Sequence, residues 1–208
     1  METTKTLQAE HNAVLHVLDQ LEHAAEAAAG GQPVPANVFA DIEEFFRVFV
    51  DRCHHGKEEL VLFPKLMQTG LPAALEMQHE EGRQLAKAYA LAAERYVAGS
   101  RASAVALQRA AADYEALLRS HIDMENAGLL PAIERDLSAQ DQELADAFEQ
   151  IETERIGAGT HERLHHMIET LAGRISPFLS ASGPVRVDVS EPGPQASLLP
   201  HGSKKEQS

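Results

Sequence analysis

A chain of 208 residues that is 44% hydrophobic is long enough for one bundle-sized domain with its own core, and short for two full domains. Its formal net charge of −14 repels phosphate backbones, which argues against nucleic acid as a partner, and no apolar run reaches the length of a bilayer span. The polar start Met1-Glu2-Thr3-Thr4-Lys5 lacks a basic-then-apolar leader, and a lone Cys53 closes no internal disulfide, so a cytoplasmic location without membrane contact is expected.

Alanine, leucine, glutamate, glutamine and arginine lose little entropy in a helix, and with aromatics at 5% the composition predicts an all-α fold. Leu7, His11, Val14, Leu15, Leu18 and Leu21 trace one face of a first helix that runs out at Gly30-Gly31. Pro33 and Pro35 mark the connection. A second helix carries Val38, Phe39, Ile42, Phe45, Phe46 and Phe49 and continues through His54 to Leu62-Phe63-Pro64. A third starts near Pro72 and runs past Leu75, His79 and Leu85 towards Gly99. A fourth occupies about residues 101–135, with Leu107, Leu117, Leu118, His121 and Leu129 on one side.

Two shorter helical stretches are expected at about 138–155 and 160–174. The Ser-, Pro- and Gly-rich remainder has too little apolar surface to offset the entropy of ordering. The expected organisation is an up-down-up-down antiparallel four-helix bundle over residues 1–136. A C-terminal helical segment at 137–175 packs on it, and a disordered tail spans 176–208.

Histidine carries the chemical signal, at 11 residues in the chain. His54-His55-Gly56-Lys57-Glu58-Glu59 leads to Leu62-Phe63-Pro64, and His121-Ile122-Asp123-Met124-Glu125-Asn126 leads to Leu129-Leu130-Pro131. In both, a histidine precedes a glutamate by four residues and a proline by ten. Residues four apart share a helix face, so each His and Glu can address one site. The competing register, His55 with Glu59, has the same spacing but breaks the match to the proline. Further upstream, His11 precedes His54 by 43 residues and His79 precedes His121 by 42.

The chain therefore reads as two helix pairs, each giving one histidine and one His-x-x-x-Glu. Four imidazoles and two carboxylates would then meet in one core. Two carboxylates can bridge two cations while neutral imidazoles bind each of them, a nitrogen and oxygen set suited to iron. Without a cation, the same groups would carry a heavy desolvation penalty.

At these residues, over roughly 5–135, the sequence resembles the hemerythrin-like HHE cation-binding proteins. The resemblance implies a metal centre of two non-haem iron ions with an oxo or hydroxo bridge. It implies His11, His54, His79 and His121 as terminal ligands and Glu58 and Glu125 as bridges. It also implies a small diatomic or peroxide ligand: oxygen, peroxide or nitric oxide. Oxygen-carrying hemerythrins have a second histidine four residues along the third helix, where this chain has Arg83 (or Leu75 on the other side). They end on His-x-x-x-x-Asp, whereas Asn126 stands five past His121. The pattern is more similar to the four-His, two-Glu branch, which includes iron–sulfur repair proteins and an iron-sensing ubiquitin-ligase subunit. The expected function is oxidant binding in oxidative or nitrosative stress or iron homeostasis. The alternative is an iron or oxygen sensor acting by metal-dependent partner binding without turnover.

Other residues have weaker readings. His161, His165 and His166 could form a second site or fold over the bundle end. His55 and Glu59 stand where they could support the ligands beside them, and Tyr89, Tyr96 and Tyr114 could reach a metal-bound ligand or line the core. A ferritin-like reading would use Glu76-x-x-His79 and Glu162-x-x-His165, which fall at unmatched positions of the two halves.

Overall fold

In the computed structural model, residues 1–157 and 159–179 are described; of the tail expected at 176–208, residues 176–179 instead continue the last helix, and 180–208 lie outside the described residues. Among the described residues every regular element is helical. Helix α1 (Glu2–Ala29) buries Leu7, His11, Val14, Leu18 and Leu21, the stripe spaced three and four apart. It ends where Gly31 takes a left-handed φ of 96°, which a side chain would oppose. Helix α2 (Ala36–Phe45) runs directly into a π-helical stretch, Phe46–His54, then a short α segment, His55–Lys57. A second π stretch, Glu58–Leu62, and a last α segment, Phe63–Leu66, complete this arm.

After a turn at Gly70, helix α3 (Leu71–Glu94) starts with Pro72 in its first turn. Helix α4 (Arg101–Met124) passes into a third π stretch, Glu125–Leu129, and then α5 (Leu130–Asp136). Helices α6 (Asp141–Arg155) and α7 (Thr160–Leu179) follow, and α7 continues through Pro177 to Leu179. Chain neighbours pack as α3 on α4, and α1 closes the bundle by packing on α4, while α6 and α7 both lie against α1.

The core divides into two clusters. The larger is rich in Phe39, Phe45, Phe46, Tyr89 and Tyr114, and the smaller gathers Leu7, Leu62, Phe63, Leu75, Leu129 and Phe148. Two tyrosines are tied down inside it: Tyr89 donates its hydroxyl to the Phe39 carbonyl at 3.0 Å and Tyr96 to the Val34 carbonyl at 2.9 Å. Neither hydroxyl is left for a metal-bound ligand. The polar residues that the clusters leave enclosed include His11, His54, His55, Glu58, His79, His121 and Glu125.

Candidate metal centre

The repeated proline has a local consequence. Pro64 and Pro131 have no N–H, and their rings crowd the carbonyl one turn back, so the helix ahead of each cannot keep its ordinary four-residue bonds. It widens instead. Phe63 N–H donates to the Glu58 carbonyl and Leu130 N–H to the Glu125 carbonyl, five residues back in each case. Both glutamates thus open a π turn, in matched frames 67 residues apart.

All six residues expected as ligands meet in one place. His11 Nε2 lies 3.1 Å from Glu125 Oε2, and His121 Nε2 lies 3.0 Å from Glu125 Oε1. His54 Nε2 lies 3.7 Å from Glu58 Oε1, and His79 Nε2 lies 3.3 Å from Glu58 Oε2. Each carboxylate therefore turns one oxygen to the His11 and His54 side and the other to the His79 and His121 side, as a bridge between two cations requires.

The outer nitrogens are all held. His54 Nδ1 is 2.8 Å from Glu10 Oε2, and His121 Nδ1 is 2.9 Å from Gln78 Oε1. His79 Nδ1 is 2.8 Å from Glu59 Oε1, and His11 Nδ1 is 2.8 Å from Asn126 Oδ1. These acceptors obey the twofold relation of the chain. The residue before each lone histidine serves the second histidine of its own half. The residue after each bridging glutamate serves the lone histidine of the other half. With a proton on every Nδ1, each Nε2 presents a lone pair to the interior. Arg83, which stands where oxygen carriers have a histidine, instead bonds Glu59 and, at 2.7 Å, Asp51, and so fixes the acceptor of His79.

The inward atoms lack ordinary partners. Among the described residues the buried side-chain nitrogens and oxygens without a hydrogen bond are His11 Nε2, His54 Nε2, both nitrogens of His55, and all four oxygens of Glu58 and Glu125. Each such group costs about 1–3 kcal/mol, more when charged, unless something else satisfies it. Burial first, and then the neighbouring Glu125 charge, push the Glu58 carboxyl upward. Glu125 is held well below its ordinary range, where the close approach of the His11, His121 and His54 imidazoles outweighs its burial. The donor set fits cations, and these atoms are where they would be held.

His55 is the residue that the repeat left out. It is buried, and a nitrogen of its ring comes within 4.8 Å of donor atoms of Glu58, His79 and His121. Its ring stacks on that of His79, centroids 3.9 Å apart and planes 15° from parallel. Imidazoles bind a cation in the ring plane, so an ion in the His79 plane lies off the face of His55. His55 still stands with Glu58, His79 and His121 in a group of side chains that could hold a cation, with its ring face turned to that of His79. It lines a cavity of about 340 Å³ whose walls include Phe46, Tyr89, Tyr114, Gly82 and Ala86 and the charged Asp51 and Arg83.

The weaker readings resolve as follows. Glu59 supports a ligand, as expected, by accepting from His79. Glu76, Glu162 and His165 are exposed, which removes the ferritin-like spacing from the core. His166 is exposed as well, and the His161 side chain lies outside the described residues. Cys53 is enclosed, and burial pushes its thiol up to about 12, so it is inert.

The profile of the hemerythrin HHE cation binding domain matches residues 2–133. Proteins described as uncharacterized from Mycobacterium bovis and Mycobacterium tuberculosis are 26% identical over 156 residues, or 73% of this chain. The chain spans only 61% of the length of those relatives. No solved structure matches. No helix among the described residues is long and apolar enough to cross a membrane.

Proposed function

The chain belongs to the hemerythrin HHE cation-binding family, and from that premise we propose that its buried cluster holds a pair of non-haem iron ions that meet small oxidants. His11 and His54 serve one ion, His79 and His121 the other, and Glu58 and Glu125 join the two. The observation that carries this reading is the convergence of unpartnered nitrogens and oxygens in a buried core, each histidine already oriented by a bond at its far nitrogen.

Bound iron supplies redox chemistry toward oxygen, peroxide or nitric oxide. The chain's own part is to exclude bulk water, set the imidazole tautomers and balance charge. The cavity that includes His55 in its wall is lined by aromatic and small side chains together with Glu43, Arg47, Asp51, Arg83 and Lys87, and offers a small oxidant a route toward the cluster. A role in oxidative or nitrosative stress or in iron homeostasis follows from that ligand class, and a lone buried cysteine agrees with a cytoplasmic setting.

The second reading, an iron or oxygen sensor, draws on the same unpartnered atoms. A core that is costly without its cation makes occupancy a switch for the fold. Peroxide consumption by iron-loaded protein, at rates above free iron, supports turnover. A metal-dependent change of stability or partner binding without turnover supports the sensor.

A further inference from the structure

The chain Glu10–Lys57–Glu152 carries a feature that the bridging site does not use. The Lys57 side chain is fully enclosed, at 0% exposure. Its ammonium bonds Glu10 on one side and Glu152 Oε1, at 2.5 Å, on the other, with the Phe148 ring 5.4 Å away. Glu10 in turn holds His54 Nδ1 at 2.8 Å. An unbroken line of four side chains therefore runs from Glu152, on the outer helix α6, to an imidazole at the centre. Glu10, Cys53 and Glu152 also have donor atoms close enough to one another to enclose a cation, and the cation between the two carboxylates is the chain's own ammonium.

Glu152 lies beyond residues 2–133, the span of the family domain. We infer that Glu152 is a tuning residue for the centre: by sharing Lys57 with Glu10, it sets how much negative charge Glu10 offers to His54. With Glu152 ionised, Lys57 is divided between two carboxylates and Glu10 remains a strong acceptor. Once that charge is gone, Lys57 neutralises Glu10 fully, and His54 becomes a poorer electron donor to its ion. Glu152 is 30% exposed, but Lys57 and Glu10 are buried, so a change in how they share charge is less screened at His54 than a change between surface groups.

This inference rests on the iron reading above. Its test compares Glu152→Gln with Glu154→Gln in the full-length, iron-loaded protein. Both remove one negative charge from α6, but Glu154 is exposed and bonded only to Gln150 among the described residues. The midpoint potential shifts upward in Glu152→Gln and stays at the parental value in Glu154→Gln. Equal potentials in all three proteins, with iron content unchanged, overturn it. The His54 Nδ1–H resonance of the metal-free chain gives a readout independent of iron. It moves in Glu152→Gln alone if Glu152 acts through Lys57 and Glu10, and an unmoved resonance overturns the coupling. Absence of bound iron in the parent would instead overturn the reading beneath it.

Discussion

The Nε2 atoms of His79 and His121 lie 3.2 Å apart in the core. Nδ1 of His79 is held by the Glu59 carboxylate and Nδ1 of His121 by the Gln78 carbonyl oxygen, so the two Nε2 atoms face each other, and a hydrogen bond between them needs a proton on one of the two. A cation between them and the carboxylates replaces that proton and is ligated by both. The predictions below follow from that arrangement.

Removing one imidazole from each side disables both ions. His54→Ala combined with His121→Ala removes most of the iron from the purified protein, measured against protein concentration. Helicity persists, because the apolar clusters on either side remain intact.

Glu58→Gln has opposite effects with and without metal. Both oxygens of Glu58 are buried and unpartnered in the metal-free fold. Replacing the carboxylate there raises thermal stability in chelator by about 1–3 kcal/mol. The same substitution lowers iron retention. Melting curves with and without chelator read the crossing of sign.

Glu59→Gln weakens the support of His79 without touching an inward atom. Metal affinity falls about 10–100-fold, as for other partners that orient a ligating histidine. Chelator competition measures it, with Glu81→Gln, on the exposed face of α3, as the unaffected control.

Lys57→Ala leaves Glu10 buried without its cation, and the fold loses about 3–5 kcal/mol. Urea unfolding at neutral pH reads the loss.

Acid weakens the metal-free fold in a defined window. Burial acts to raise the carboxyls of Glu10 and Glu59, but their bonds to His54 and Lys57, and to His79 and Arg83, outweigh it and hold both at about 2. An unfolded glutamate titrates near about 4.3. The stability from this depression is complete above that pH and is lost as pH falls from there towards 2. Unfolding midpoints in denaturant, taken from pH 6 down to about 3, fall most steeply at the acid end of that series.

Much of this was legible in the chain. The stripe from Leu7 to Leu21 marks α1, and the two His-x-x-x-Glu frames, each ten residues ahead of a proline, mark the centre. Pro64 and Pro131 even hold the cause of the π turns at Glu58 and Glu125, although a pattern with a 3.6-residue period does not reveal a widened turn, and no proline marks the longer π stretch at Phe46–His54. The role of Glu10 was hidden for a different reason: its partners, His54 and Lys57, lie on another arm, and pairing across helices depends on packing. His55 was out of register with the repeat, and its position opposite, 67 residues on, is Ile122. The placement of α6, which brings Glu152 to Lys57, rests on a weak apolar stripe of Leu144 and Phe148 that names no partner.

The central claim is tested most directly by metal analysis and an optical spectrum of protein purified from iron-supplemented cells. The account predicts about two irons per chain and near-ultraviolet bands that shift when azide is added, the behaviour of a paired site with an open position. An absence of iron, or a single zinc ion unresponsive to azide, would contradict it.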